Sequence, residues 1–140
     1  MASIMTNAGA AGLSSGGSIT WASDTIKARL VVSGTPDKDD TTMTGKTAAT
    51  GSTDITLTTK AKTTDTTNDR IVFDADDLSF TGLSDTGTAT HIAIYKFVTN
   101  DAGSTPICYI DITDQALTGA TVANYTVPNG STLGLFYLQQ

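Results

Sequence analysis

The sequence contains no glutamate: all 14 acidic residues among its 140 are aspartate. Glu is a good helix former and Asp a poor one, so the usual material of an exposed helix face is missing, and a helical bundle or coiled coil is excluded. Cysteine occurs once, at Cys108, which rules out a disulfide framework within one chain. Basic residues are also few, 8 Lys and Arg against 14 Asp, for a formal net charge of −6. No basic face is available to neutralise phosphates, so no nucleic-acid partner is expected. No apolar run approaches the roughly 18 residues a membrane span needs, and no membrane partner is expected either. Residues 1–20 lack Lys, Arg and any continuous apolar stretch, so no secretory signal is read there and the chain is expected to be made in a cytoplasm.

Threonine is what the chain has in excess, with 28 residues. A single domain of this length buries about two thirds of its unfolded surface, enough for a core without staples. From Trp21 onward, short β-branched runs alternate with turn residues. They predict strands at 26–32, 54–58, 70–73, 78–80, 88–98, 106–112, 121–127 and 132–138. Many short strands without an intervening helical period predict an all-β domain over residues 21–140, an antiparallel β-sandwich or jelly roll. Turn chemistry supports the boundaries: Gly34-Thr35-Pro36-Asp37 ends the first strand, Asn100-Asp101-Ala102-Gly103 links two strong ones, and Pro128-Asn129-Gly130 is expected to join the last pair as a hairpin.

Alternation assigns faces. In the 88–98 run, Ile92, Ile94 and Val98 share a side with Lys96, while Ala93, Tyr95 and Phe97 share the other, so both sides are expected to be at least half buried. Leu133, Leu135 and Tyr137 against Phe136 and Leu138 make the last strand apolar on both sides, which requires a central position or cover from another subunit. The Ala, Gly and Ser of residues 1–20 offer little apolar area against the entropy of ordering and predict a flexible arm. Ile4, Met5 and Leu13 are unusual passengers for a plain linker, and they suggest an arm that orders on a partner. Residues 37–68, rich in Thr and Asp with Ile55 and Leu57 as the only branched aliphatics, predict a long solvated excursion.

Few residue patterns carry chemistry. Thr44-Gly45-Lys46-Thr47 has the ending of a phosphate-binding loop, but the motif's first glycine falls on Asp40, whose carboxylate would repel a phosphate. The clusters Asp37-Lys38-Asp39-Asp40 and Asp74-Ala75-Asp76-Asp77 offer oxygen ligands for Ca²⁺, yet neither can end in the bidentate Glu of a calcium loop. Asp side chains accepting backbone N–H bonds in tight turns are the simpler reading. His91 is the only histidine and lies inside the longest predicted strand, so a nucleophilic triad would have to be built on it. Cys108, in another apolar strand, reads as a small core residue. Asn124-Tyr125-Thr126 and Asn129-Gly130-Ser131 match the glycosylation pattern, and without a secretory signal they read as strand and turn residues. One Trp, four Tyr and four Phe, mostly within apolar runs, give little support to a sugar-stacking platform.

Four segments taken in order, Trp21-Ala-Ser-Asp-Thr-Ile-Lys-Ala-Arg-Leu, Val72-Phe-Asp-Ala-Asp-Asp-Leu-Ser-Phe, Ala93-Ile-Tyr-Lys and Pro106-Ile-Cys-Tyr-Ile-Asp, resemble a group of small virion structural proteins of tailed bacteriophages. The resemblance runs over residues 21–112, more loosely toward the C-terminus, and lies in order and spacing rather than in a chemical motif. It implies a non-enzymatic head decoration (cement) protein without a cofactor, bound to the major capsid protein on the outer surface of the phage head. A homotrimer is the favoured assembly. Such a protein bridges capsid subunits, which calls for a rigid β scaffold and apolar surface buried between chains. The candidate contact residues are Ile4, Met5, Leu13, Trp21, Leu133, Leu135, Phe136 and Tyr137. The alternatives are a tail or neck component of the same kind of particle, and a receptor- or glycan-binding module using the Thr-rich loop.

Overall fold

The structure, a computed structural model, describes residues 3–128 and 134–139. It is mostly β, with antiparallel sheets packed together, as the missing Glu and the short β-branched runs predict. The central sheet has six strands: β1 (Ile4–Met5), β9 (Thr105–Ala116), β8 (Thr88–Lys96) and β2 (Ile26–Ser33) lie side by side, and β3 (Thr47–Ala48) and β4 (Ile55–Thr56) both pair with the outer edge of β2. Two smaller sheets complete the domain. One joins β7 (Leu78–Thr81) to β10 (Val122–Tyr125), and the other orders β11 (Phe136–Gln139), β6 (Arg70–Asp74) and β5 (Ala61–Asp65).

The register of the central sheet converts the alternation into two distinct surfaces. Ala28, Ile94, Cys108 and Met5 stand in one cross-strand row, and Leu30, Ile92 and Ile110 in the next. Both rows face the main core, where they meet Phe73, Leu78, Phe80, Leu117 and Ala123. Alternate positions form the rows Arg29, Ala93, Tyr109 and Ile4, then Val31, His91 and Asp111. That second surface has its own small cluster of Val31, Met43, Ala93, Tyr95 and Tyr109.

Three expectations are corrected. Residues 3–20 are folded onto the domain: β1 pairs with β9, and the single helix among the described residues, α1 (Asn7–Leu13), follows it. The buried Thr6 makes this possible, because its hydroxyl lies 2.6 Å from the carbonyl of Pro106 and accepts the Gly9 N–H at 2.9 Å as the helix N-cap. Glycine there means close approach rather than looseness, since a Cβ on Gly9 would sit 2.4 Å from the carbonyl oxygen of Ile107. Residues 37–68 form a cover as well as a surface: most of their threonines are exposed, but Met43, Ala49 and Leu57 are buried and β3, β4 and β5 lie within the stretch. Among the described residues the last two strands do not pair with each other, because β10 joins β7 and β11 joins β6, and the expected hairpin turn at Asn129 and Gly130 lies outside the described residues. Of the two positions open to the last strand, the central one is excluded: β11 is an edge strand, with Phe136 and Leu138 half buried against the core and Tyr137 exposed.

Candidate functional site

The candidate contact residues separate into two groups. Leu13, Trp21 and Leu135 are buried in the chain's own core, a correction to their expected place in a contact with another chain. Trp21 lies edge-on to Phe73 and Phe136 at 5.4 and 5.3 Å, and Phe73 stacks on Phe136 at 4.9 Å, so the indole anchors the segment before β2. Its ring N–H donates to the Asp74 carbonyl at 3.3 Å. Leu133 lies outside the described residues.

The remaining residues come together from the two ends of the chain. Ile4 and Met5 on β1, and Phe136 and Tyr137 on β11, line one groove of about 470 Å³, with Tyr125 and the buried Leu135 and Cys108 in its wall. Ile4, Met5 and Phe136 are half buried, and Tyr137 is 50 % exposed with its ring 4.7 Å from the Arg70 guanidinium carbon. Each wall of the groove is the end strand of a sheet. Backbone groups at a sheet edge, beside a half-buried apolar lining, are what an added chain can satisfy.

The second surface of the central sheet carries a charged network that sequence reasoning missed. Arg29, 10 % exposed at its side chain, sends Nε and Nη2 to Asp54 at 3.0 and 2.7 Å and Nη1 and Nη2 to Asp101 at 2.7 and 2.8 Å. It also donates to the Lys46 carbonyl at 2.9 Å. Tyr95 donates to Asp54 at 2.5 Å. Lys46, itself buried, pairs with Asp40 at 2.9 Å, and Tyr109 donates to the same Asp40 oxygen at 2.8 Å. Arg29, Tyr95 and Tyr109 each lie at an alternate strand position, but their partners are far away in sequence, and no local pattern links them.

The chemistry of this network is that of a clasp. The Asp101 hydrogen bonds, aided by Asp54, raise the pKa of Arg29 and keep it charged despite burial. Burial pushes both Tyr95 and Tyr109 above the usual phenol range, and the carboxylates they donate to push the same way, so both remain protonated donors. Burial works against the Asp40 carboxylate, yet hydrogen bonds from Lys46, Tyr109 and the Asp37 backbone outweigh it and hold its pKa below the ordinary value. Burial raises the Cys108 thiol, the reverse of what a nucleophile needs.

The other sequence candidates resolve into local structure. Lys46 of the Thr44-to-Thr47 motif is bound to Asp40, the residue that occupies the motif's missing glycine position. In the Asp74-to-Asp77 turn, Asp74 accepts the Ala75 N–H at 2.9 Å, Asp77 accepts the Val127 N–H at 2.8 Å, and Asp76 takes the hydroxyls of Thr58 and Thr59 at 2.8 and 2.7 Å. Asp37 and Asp40 likewise accept the backbone N–H groups of Asp39 and Asp37. Among the described residues no group of three or more His, Cys or Asp is placed to hold a metal ion, and no helix is long and apolar enough to cross a membrane. Comparison with protein-family models, curated proteins and solved structures found no match.

Proposed function

We propose that the chain is a non-enzymatic capsid decoration protein of a tailed bacteriophage, bound to the major capsid protein on the outer head surface as a homotrimer and bridging capsid subunits. The observation that carries this reading is the groove between β1 and β11. There the two ends of the chain present Ile4, Met5 and Tyr137 beside two sheet edges, a surface that a neighbouring chain can complete. A scaffold of interlocked antiparallel sheets supplies the stiffness such a bridge needs, and the order of the four phage-like segments points to the same class of particle. The net charge of −6 suits a protein crowded onto an outer surface, where like charge keeps copies from adhering non-specifically.

The test is binding to purified heads that lack the chain. The expected result is saturable binding at a copy number that follows the capsid subunits, with Tyr137→Asp, which places a charge at the most exposed aromatic of the groove, binding at least about tenfold more weakly while staying folded. A copy number matching a single ring at one vertex would favour the tail or neck component instead. Saturable binding to host cells or glycans without binding to heads would favour the receptor module.

A further inference from the structure

Residues 34–46, the connection from β2 to β3, form a flap over the second surface of the central sheet, and the only histidine lies beneath it. His91 is 5 % exposed. Its Nδ1 lies 2.6 Å from the Thr90 hydroxyl, while Nε2 is buried and finds no well-formed hydrogen bond among the described residues. A buried polar atom in that state is costly, and a charge on the same ring costs more. The ring lines a recess of about 440 Å³ whose other walls include Ser33, Gly34 and Pro36 at the root of the flap and Asp114 at the rim. At that root the two limbs of the flap almost touch: Gly34 has φ +104°, and a Cβ there would fall 2.1 Å from the Gly45 carbonyl oxygen.

The groups around the ring decide how it responds to a proton. From β2 comes uncharged Val31, the cross-strand neighbour. From β9 come Tyr109, edge-on at 5.8 Å, and Asp111, the opposite cross-strand neighbour. From the flap come Lys46, the Gly34 backbone and, through the Tyr109 hydroxyl, Asp40. Burial is the largest influence and disfavours the charged ring; Lys46 acts in the same direction, while Gly34 and Asp111 oppose, and the net effect lowers the imidazole pKa. A protonated ring therefore needs water. Beneath it the sheet is backed by the packed main core, whereas above it the flap is held by one buried methionine and by hydrogen bonds from Asn7, Arg29 and Tyr109 and from the Met43 N–H to the Asp101 and Ser104 carbonyls.

We propose that His91 is an acid-sensitive latch: neutral, it lets residues 34–46 lie closed on the sheet, and on taking a proton it releases them, uncovering Tyr95, Tyr109 and the Arg29 network. The folded value lies below the unfolded value of about 6.5, so the open state binds more protons in the window below that pH, and closure weakens as pH falls through it. The chain has no Glu and one His, so between that window and the carboxylate range no other side chain is expected to titrate.

The experiment is hydrogen exchange by mass spectrometry on the full chain at pH 7 and pH 5, corrected for the intrinsic pH dependence of exchange. Protection of residues 35–46 is expected to fall severalfold at pH 5 while β8 and β9 hold, and the step is expected to vanish in His91→Gln. An equal step in His91→Gln, no step in the natural chain, or a uniform loss over all strands would overturn the proposal. Should His91→Gln fail to fold, ring titration of the natural chain by NMR decides: the latch requires a midpoint below about 6.5 with the Met43 methyl signal shifting at the same midpoint, and an unmoved methyl excludes it.

Discussion

On one side of the central sheet, Ala28, Ile94 and Cys108 pack into a core of aliphatic and aromatic side chains; on the other, Arg29, Ala93 and Tyr109 meet a Thr-rich cover through carboxylates, one lysine and Met43. The strands are the same and the burial is nearly as complete. The apolar face is held by area, which is non-directional and insensitive to salt and mild acid. The covered face is held by directed charge pairs, which are satisfied only in one arrangement and whose loss leaves unpaired ions behind. The first arrangement suits a scaffold. The second suits a segment that closes and opens as a unit.

The contrast can be broken at its strongest point on each side. Phe73→Ala removes a ring that is 1 % exposed, stacked on Phe136 and edge-on to Trp21, and is expected to cost about 4 kcal/mol in urea unfolding, equally at low and high salt. Arg29→Met removes the cation between Asp54 and Asp101 and is expected to cost about 3 kcal/mol. The Asp101 side chain is 45 % exposed, so water and salt relieve part of that loss, and the gap between Arg29→Met and the natural chain should narrow at high salt. Equal salt dependence of the two variants would remove the distinction between the faces.

A smaller and more local effect separates cover from scaffold. Met43 is fully buried and is the main apolar anchor of the flap. Met43→Ala is expected to weaken closure by about 2 kcal/mol. Because the flap can open without disturbing the main core, proteolysis within residues 34–46 should accelerate while the global urea midpoint moves little. A midpoint shift as large as that of Arg29→Met would show that cover and scaffold unfold together.

Most of this scaffold was readable from local pattern. β2, β6, β7, β8 and β10 fall inside or within a residue of the runs that alternation and β-branching mark out. The two-sided burial of β8 was also visible in Ala93 and Tyr95 opposite Ile92 and Ile94. What escaped depends on partners distant in the chain. The segment 3–20 reads as loose because Gly and Ala carry no apolar signal, whereas in the structure Thr6 caps a helix at Asn7–Leu13. Docking against Ile107 turns its glycines from a source of freedom into a condition for contact. Met43 and Lys46 look like a solvated loop until β2, β8 and β9 are assembled beneath them. The groove residues were partly legible, since Ile4 and Met5 stood out in an Ala- and Gly-rich stretch and Tyr137 in a strand apolar on both sides, but their meeting is a property of the topology alone.

The finest test concerns a single hydrogen. Tyr109→Phe deletes the O–H that donates to Asp40 at 2.8 Å and leaves the ring under His91 and Lys46 in place, so a loss of about 1 kcal/mol in flap closure is expected at neutral pH. The pH dependence of that loss identifies its origin. Asp40 has a folded pKa below its unfolded value, so its contribution is complete above the ordinary aspartate value of about 3.9 and disappears as pH falls through the folded one. Without the tyrosine donor the depression is smaller, so the natural chain and the variant should converge in acid, well below the window in which His91 titrates. Closure measured by exchange at pH 7, 5 and 3 separates the two groups. A Tyr109→Phe difference that disappears already at pH 5 would place the hydroxyl's effect on the imidazole rather than on the carboxylate.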